Sequence, residues 1–152
     1  MITTWLAITL AIVGVGHAIC KKGGMIDSVS EMAYIIPHWA FSSWIALTGI
    51  LLMPDMMEHL PENWQWMGFM CIVGLCCVAA SSYYKTEAKV LHFVGGWMCA
   101  LFAMMIVSFN CWPLLLCWLA YLPAMWAFGW WCYTSWAEIL VFVLLVTVLI
   151  FC

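Results

Sequence analysis

The sequence predicts an all-α protein that crosses a membrane several times as a single helical bundle. Hydrophobic residues make up 68% of the 152 residues and charged residues only 7%, whereas soluble domains are about half apolar and about a quarter charged. Five stretches of the chain are long and apolar enough to cross a bilayer, and the last is long enough for two spans. The strict alternation of a β-barrel strand is absent, and helices satisfy their backbone groups within one segment. We therefore predict one domain, residues 1–152.

Six spans account for most of the chain, since a helix of about 20 residues crosses a hydrocarbon layer of about 30 Å. The last two are divided at Gly129 and the polar residues that follow it, and five spans remain if that break is only a kink. Small residues at helical spacing in the first span, and Gly95–Gly96 in the fourth, predict close helix contacts. The predicted spans are about 2–18, 32–53, 64–81, 90–109, 112–131 and 136–152.

The four lysines predict the orientation. Lys21 and Lys22 lie in the first loop, Lys85 and Lys89 lie in the third, and the chain has no arginine. Because lysine-rich loops stay cytoplasmic, the acidic loop 54–63 lies outside, and six spans leave both termini outside. We expect an integral membrane protein that contacts membrane lipid and either forms a homo-oligomer or joins a membrane complex. No basic face suits nucleic acid.

Polar residues near the second span predict a functional pocket. Asp27, Glu31, Tyr34, His38 and Ser42 are spaced by four, three, four and four residues, which places them on one face of a helix. Such a face must point toward other helices or water, because polar groups in lipid are costly and often functional. A kink at the neighbouring proline would open the helix beside the histidine.

Two further polar residues are expected at the same cytoplasmic end. His92 lies in the first turn of the fourth span, and Glu138 lies in the first turn of the sixth. Glu138 would bond to a histidine across the bundle or lie among the lipid headgroups. A simpler interpretation of Glu31 is a capping box with Ser28, in which the serine accepts a helix amide and the carboxylate reaches back.

A metal site is the alternative use of the histidines. His17, His38 and His92 are expected at similar depth, and with Glu31 or Asp27 they would suit zinc, which activates a bound water. No two of these histidines are four residues apart on one helix, so we expect no cofactor and keep zinc as the alternative. The nine cysteines lie mostly in spans, where a thiol behaves as a small hydrophobe.

Three short segments carry a resemblance to a known group of proteins. They are Ser28-Val-Ser-Glu31 with Tyr34, then Pro54, Glu58, Leu60-Pro61 and Gly68-Phe69, then Glu87 with Val90-Leu91-His92. Over the second to fourth predicted spans, the chain resembles small multispan membrane proteins of gut Bacteroidetes and their mobile elements. It has a looser likeness to six-span proteins of the Frag/DRAM/Sfk type. The resemblance implies a multispan topology, in a bacterial inner membrane, and no particular activity.

The chain departs from the motifs of the alkaline-ceramidase-like hydrolases, which use a membrane-embedded zinc. That family has a serine four residues before a histidine, and Tyr34 stands at that place before His38. A late histidine pair at a spacing of four is missing as well. The leading hypothesis is therefore a non-enzymatic protein that binds or passes a small or amphipathic molecule at the cytoplasmic pocket. The alternatives are an intramembrane metal-dependent hydrolase and a structural or pore-forming subunit of a membrane assembly.

Overall fold

The computed structural model describes residues 1–85, 88–128 and 134–152, and this part of the chain is helical without any strand. Short 3-10 turns precede α2, α4 and α6, at Val29–Glu31, Glu62–Trp64 and Trp112–Leu116. The predicted all-α bundle is confirmed. The helices are α1 Ile2–Lys22, α2 Met32–Ile35, α3 His38–Glu58, α4 Trp66–Ala80, α5 Lys89–Cys111, α6 Cys117–Phe128 and α7 Ser135–Phe151.

Four helical stretches among the described residues are long and apolar enough to cross a membrane. They are Ile2–Lys22, His38–Glu58, Glu62–Ala80 and Lys89–Phe128. Ser135–Phe151 is equally apolar but has 17 residues, slightly fewer than the usual length. The protein therefore has the helices of an integral membrane protein, and the number six stays a prediction.

The stretch Lys89–Phe128 bends sharply at Cys111. Cys111 has φ −152° and ψ 71°, which is not helical. Beyond this break, the indole Nε1 of Trp118 donates to the Sδ of Met104 at 3.4 Å. On one straight helix these residues would be about 21 Å apart along the axis. The chain therefore turns back after Cys111, and the first turn of α6 lies beside α5. Whether 90–109 and 112–131 are separate spans stays a prediction, and residues 129–131 lie outside the described part.

Close helix packing occurs where small residues were expected. A Cβ on Gly74 of α4 would lie 2.6 Å from the carbonyl oxygen of Gly95, so these helices touch through their backbones. A Cβ on Gly14 of α1 would overlap the indole of Trp44, whose Nε1 donates to the carbonyl of Leu10 at 2.8 Å. The glycines thus bring α4 against α5 and α1 against α3.

The second predicted span differs from the structure at both of its ends. Residues 32–35 form the separate helix α2, and Ile36 is extended (φ −109°, ψ 165°). The residue before a proline avoids the helical region, so Pro37 separates α2 from α3. At its other end α3 continues through Pro54 to Glu58, although the acidic loop was expected to begin at Pro54.

Consecutive long helices run in opposite directions, which gives the bundle two ends. The end where α1 and α4 finish and α3, α5 and α7 begin is called the lysine end here, because it holds Lys22, Lys85 and Lys89. The opposite end, where α3 finishes and α1 begins, is called the Asp55 end. A separate buried apolar cluster lies toward each end, around Phe41 and Met32 at the lysine end and around Met56 and Leu149 at the other.

Candidate functional site

The loop after α1 is bonded to the beginning of α7 at the lysine end. The Ser135 amide donates to the carbonyl of Asp27 at 3.0 Å, and the Ser135 hydroxyl donates to the carbonyl of Ile26 at 2.8 Å. One turn further along α7, the Glu138 carboxylate accepts the Val29 N–H at 2.5 Å. Glu138 therefore lies at the expected end of the bundle, but its described partner is a backbone amide and not a histidine.

Glu31 is the centre of a local network within the same loop. Its amide donates to the Ser28 hydroxyl at 3.1 Å, which confirms the serine cap. Its carboxylate accepts the Asp27 N–H at 2.7 Å, so the reciprocal bond is displaced by one residue from the usual box. The Lys22 ammonium lies 3.0 Å from Glu31 and 3.6 Å from Asp27.

The pKa of Glu31 reflects this network. Burial by itself raises the pKa of the Glu31 carboxyl. The Asp27 N–H and the Lys22 ammonium both favour the charged form and more than offset burial, so the pKa lies below its ordinary value. Glu31 is therefore held as a carboxylate by its neighbours.

His92 joins three segments of the chain. It is 5% exposed, and its Nδ1 lies 3.1 Å from the Ser81 hydroxyl after α4. Its Nε2 lies 2.7 Å from the Ser30 hydroxyl in the loop after α1. The Tyr84 ring stacks on the imidazole with centroids 4.2 Å apart. A hydrogen bond with Ser28 lowers the pKa of the Tyr84 phenol, but burial outweighs it, so the pKa lies above its ordinary value.

Tyr34 and His38 border this cluster on its outer side. The Tyr34 hydroxyl accepts the Lys85 N–H at 2.8 Å, and the Lys85 ammonium lies 4.8 Å from the Tyr34 ring centroid. The His38 ring meets the edge of Tyr34 and stacks on Tyr83 at a centroid distance of 3.8 Å. The two side chains therefore hold the turn after α4 against the start of α3.

A groove opens beside the cluster and is lined by residues that were not predicted as site residues. It has a volume of about 190 Å³ and is lined by Tyr84, Lys85, Lys89 and Phe93. The Lys89 ammonium lies 5.9 Å from the Phe93 ring centroid. Neither lysine forms an ion pair with any of the residues that the structure describes. The groove therefore combines two positive charges with two aromatic rings.

The predicted pocket residues other than Ser42 lie at the lysine end, but most of them are hydrogen-bonded to neighbouring residues and none lines the groove beside Tyr84. Ser42 is separate from the others: its hydroxyl donates to the Ala79 carbonyl at 2.6 Å, and it lines an open groove of about 500 Å³ between α3 and α4. The spacing of Lys85, Lys89 and Phe93 at intervals of four is the sequence signal that could have indicated the lysine groove.

The three predicted metal-binding histidines have different surroundings. His17 is exposed on α1, His38 stacks on Tyr83, and both ring nitrogens of His92 face serine hydroxyls. Within the described part of the chain, no three His, Cys, Asp or Glu side chains are close enough together to hold a metal ion. Zinc binding stays a prediction.

Asp55 is a buried polar residue that the sequence analysis placed in a loop. Asp55 is 3% exposed, and its side chain lies at the start of α1. One carboxylate oxygen accepts the Thr3 hydroxyl at 2.8 Å, the Thr4 N–H at 3.1 Å and the Thr4 hydroxyl. The other accepts the Met1 amine at 2.5 Å. Asp55 of α3 thus caps α1 from a neighbouring helix.

No family model matches this chain, and neither a curated protein nor a solved structure matches it. The resemblance to small multispan proteins of gut Bacteroidetes stays a prediction. The function is therefore inferred from the arrangement of side chains at the lysine end.

Proposed function

We propose that this integral membrane protein binds an amphipathic molecule with an anionic headgroup at the lysine end. The observation that carries the proposal is the groove lined by Tyr84, Lys85, Lys89 and Phe93, because its two lysines have no ion-pair partner among the described residues. The sequence led us to expect a small or amphipathic ligand, and the proposal adds that this ligand is anionic.

The charge of the groove favours an anion at a membrane surface. Lysines near an anionic leaflet contribute about 1 kcal/mol each to lipid attraction. Aromatic rings such as those of Tyr84 and Phe93 are common at the headgroup level. A phosphate or carboxylate between Lys85 and Lys89 would compensate both charges.

The outer face of α5 supplies a surface for the apolar part of the ligand. Next to the groove, Val90 is 76% exposed, Val94 58% and Trp97 75%. These residues recur at helical spacing, so they form one apolar strip that starts at the groove. An acyl chain along this strip would continue from a headgroup held by the lysines.

The polar cluster acts in this proposal by positioning the groove. Stacking on His92 orients Tyr84, and the Tyr34 hydroxyl holds the backbone of Lys85. If lysine-rich loops are cytoplasmic, as expected, the ligand comes from the inner leaflet of a bacterial inner membrane. Among the predicted residues, Tyr34 and His92 therefore support the groove wall, and Glu31 and Glu138 hold the loop beneath it.

Lipid retention measured by native mass spectrometry tests the proposal. The detergent-purified protein is incubated with phosphatidylglycerol or with phosphatidylcholine of the same acyl chains. We expect preferential retention of phosphatidylglycerol, and loss of that preference in the double variant Lys85→Gln/Lys89→Gln. Lys21→Gln is the matched control, because Lys21 is exposed in the last turn of α1 and does not line the groove. Equal retention of both lipids by the native protein, or an unchanged preference in the double variant, would refute anionic headgroup binding here.

A further inference from the structure

Two cysteine side chains meet between α4 and α5, away from the lysine groove. The Sγ atoms of Cys71 and Cys99 are 3.6 Å apart, and the Cys71 Sγ is also 3.6 Å from the Cys99 carbonyl oxygen. Cys71 is 2% exposed and Cys99 is partly buried. Both thiols are free. They therefore form a reduced dithiol within the apolar core.

The helix contact beside this pair keeps the two thiols together. Gly74 lies one turn after Cys71 on α4, and Gly95 lies one turn before Cys99 on α5. A Cβ on Gly74 would lie 2.7 Å from the backbone nitrogen of Cys99, so no side chain separates the helices here. Backbone contact leaves the sulfurs little freedom to move apart.

We propose that Cys71 and Cys99 form a reversible thiol–disulfide site that links α4 covalently to α5. A disulfide has an S–S bond of about 2.05 Å, so the sulfurs must approach by roughly 1.5 Å, which side-chain rotation and small helix shifts supply. The site is independent of the lipid-binding proposal, since it needs neither the lysines nor a ligand.

The reaction needs a two-electron oxidant that enters the membrane, and a diazene such as diamide meets this requirement. One thiol adds across the N=N bond, forming an S–N bond and placing its proton on the other nitrogen. The second thiol then attacks the bound sulfur, the S–S bond forms, and the S–N bond breaks. The second proton goes to the leaving nitrogen. The dithiol loses two electrons, and the diazene becomes a hydrazine.

The experiment uses the full-length protein treated with diamide in detergent, then denatured and alkylated with N-ethylmaleimide. We expect the maleimide adducts on Cys71 and Cys99 to be lost, a proteolytic fragment joined through these two residues to appear, and both thiols to be recovered with dithiothreitol. Cys71→Ser and Cys99→Ser should each abolish this linkage. Cys76→Ser should retain it, because Cys76 is exposed on the same helix and lies outside the pair.

A second variant separates this pair from other thiols in the chain. It keeps Cys71 and Cys99 and replaces the remaining cysteines by serine, and its matched control keeps Cys71 and Cys76 instead. Linkage in the first variant and not in the second supports the proposal. Free Cys71 and Cys99 after diamide treatment of the native protein, or equal linkage in the two variants, overturns it.

Discussion

Replacing Asp55 tests whether a side chain of α3 holds the beginning of α1 in place. The carboxylate accepts hydrogen bonds from Thr3 and Thr4, and Thr4 is fully buried. In Asp55→Ala the Thr4 amide and hydroxyl lose this acceptor in a place that water does not reach. The helix dipole of α1 also loses a negative charge at its positive end.

The size of the effect follows from the kind of bond that is lost. Hydrogen bonds to a charged group contribute about 1.5–3 kcal/mol each, and a buried donor left without an acceptor costs about 1–3 kcal/mol. We therefore expect Asp55→Ala to lower the free energy of unfolding by about 3 kcal/mol. Asp55→Asn keeps one carbonyl oxygen as an acceptor, and its loss should be about half as large.

The assay is equilibrium unfolding in mixed micelles, followed by circular dichroism as the fraction of denaturing detergent rises. Glu58→Ala is the matched control, because Glu58 is exposed on the same helix three residues later; surface changes of this kind stay within about 0.5 kcal/mol. The expected order of stability is native and Glu58→Ala, then Asp55→Asn, then Asp55→Ala. An Asp55→Ala variant within about 0.5 kcal/mol of the native protein would refute the capping role.

Two further predictions concern the lysine end and the contact between α4 and α5. Because the pKa of Glu31 is lowered in the folded state, its carboxylate stabilises the protein above the ordinary carboxyl pKa, and this contribution is lost as pH falls through the lower folded value. The thermal midpoint should therefore fall less between neutral and acid pH in Glu31→Gln than in the native protein. An equal fall in the two proteins would contradict this. Gly74→Ala should destabilise by about 1–3 kcal/mol, because its Cβ would meet the backbone of α5. Gly96→Ala is the control, since the nearest atom to a Cβ at Gly96 is a Val78 methyl carbon at 4.0 Å. If the two variants unfold at the same fraction of denaturing detergent, the backbone contact is contradicted.

The gathering of polar residues at one end could be predicted from span order and helical spacing. Asp27 follows the first span, His92 begins the fourth and Glu138 begins the sixth. Because successive spans run in opposite directions, the order of the spans places these three residues at the same end of the bundle. The capping of Glu31 by Ser28 was also predictable, because a capping box depends on residues only three positions apart. Close packing at Gly95 followed from its small size in an apolar helix.

Contacts between distant segments could not be predicted in the same way. The sequence indicates that Glu138 begins a helix, but not that its carboxylate accepts the amide of Val29, 109 positions away. Asp55 was misplaced because a proline and an acid usually mark a loop, whereas α3 continues past Pro54 and places Asp55 against α1. Burial of an acid depends on a partner helix that local sequence does not reveal.

The class of this protein follows from its amino-acid sequence alone, because the free energy of placing a helix in lipid is a sum over its own residues. The polar residues and the helix ends near which they lie follow from the sequence as well. Which polar groups compensate one another, and which remain available, depends on how α1, α4, α5 and α7 meet in the folded bundle. Glu31, His92 and Glu138 are hydrogen-bonded to nearby backbone and side-chain groups, whereas Lys85 and Lys89 beside them line a groove.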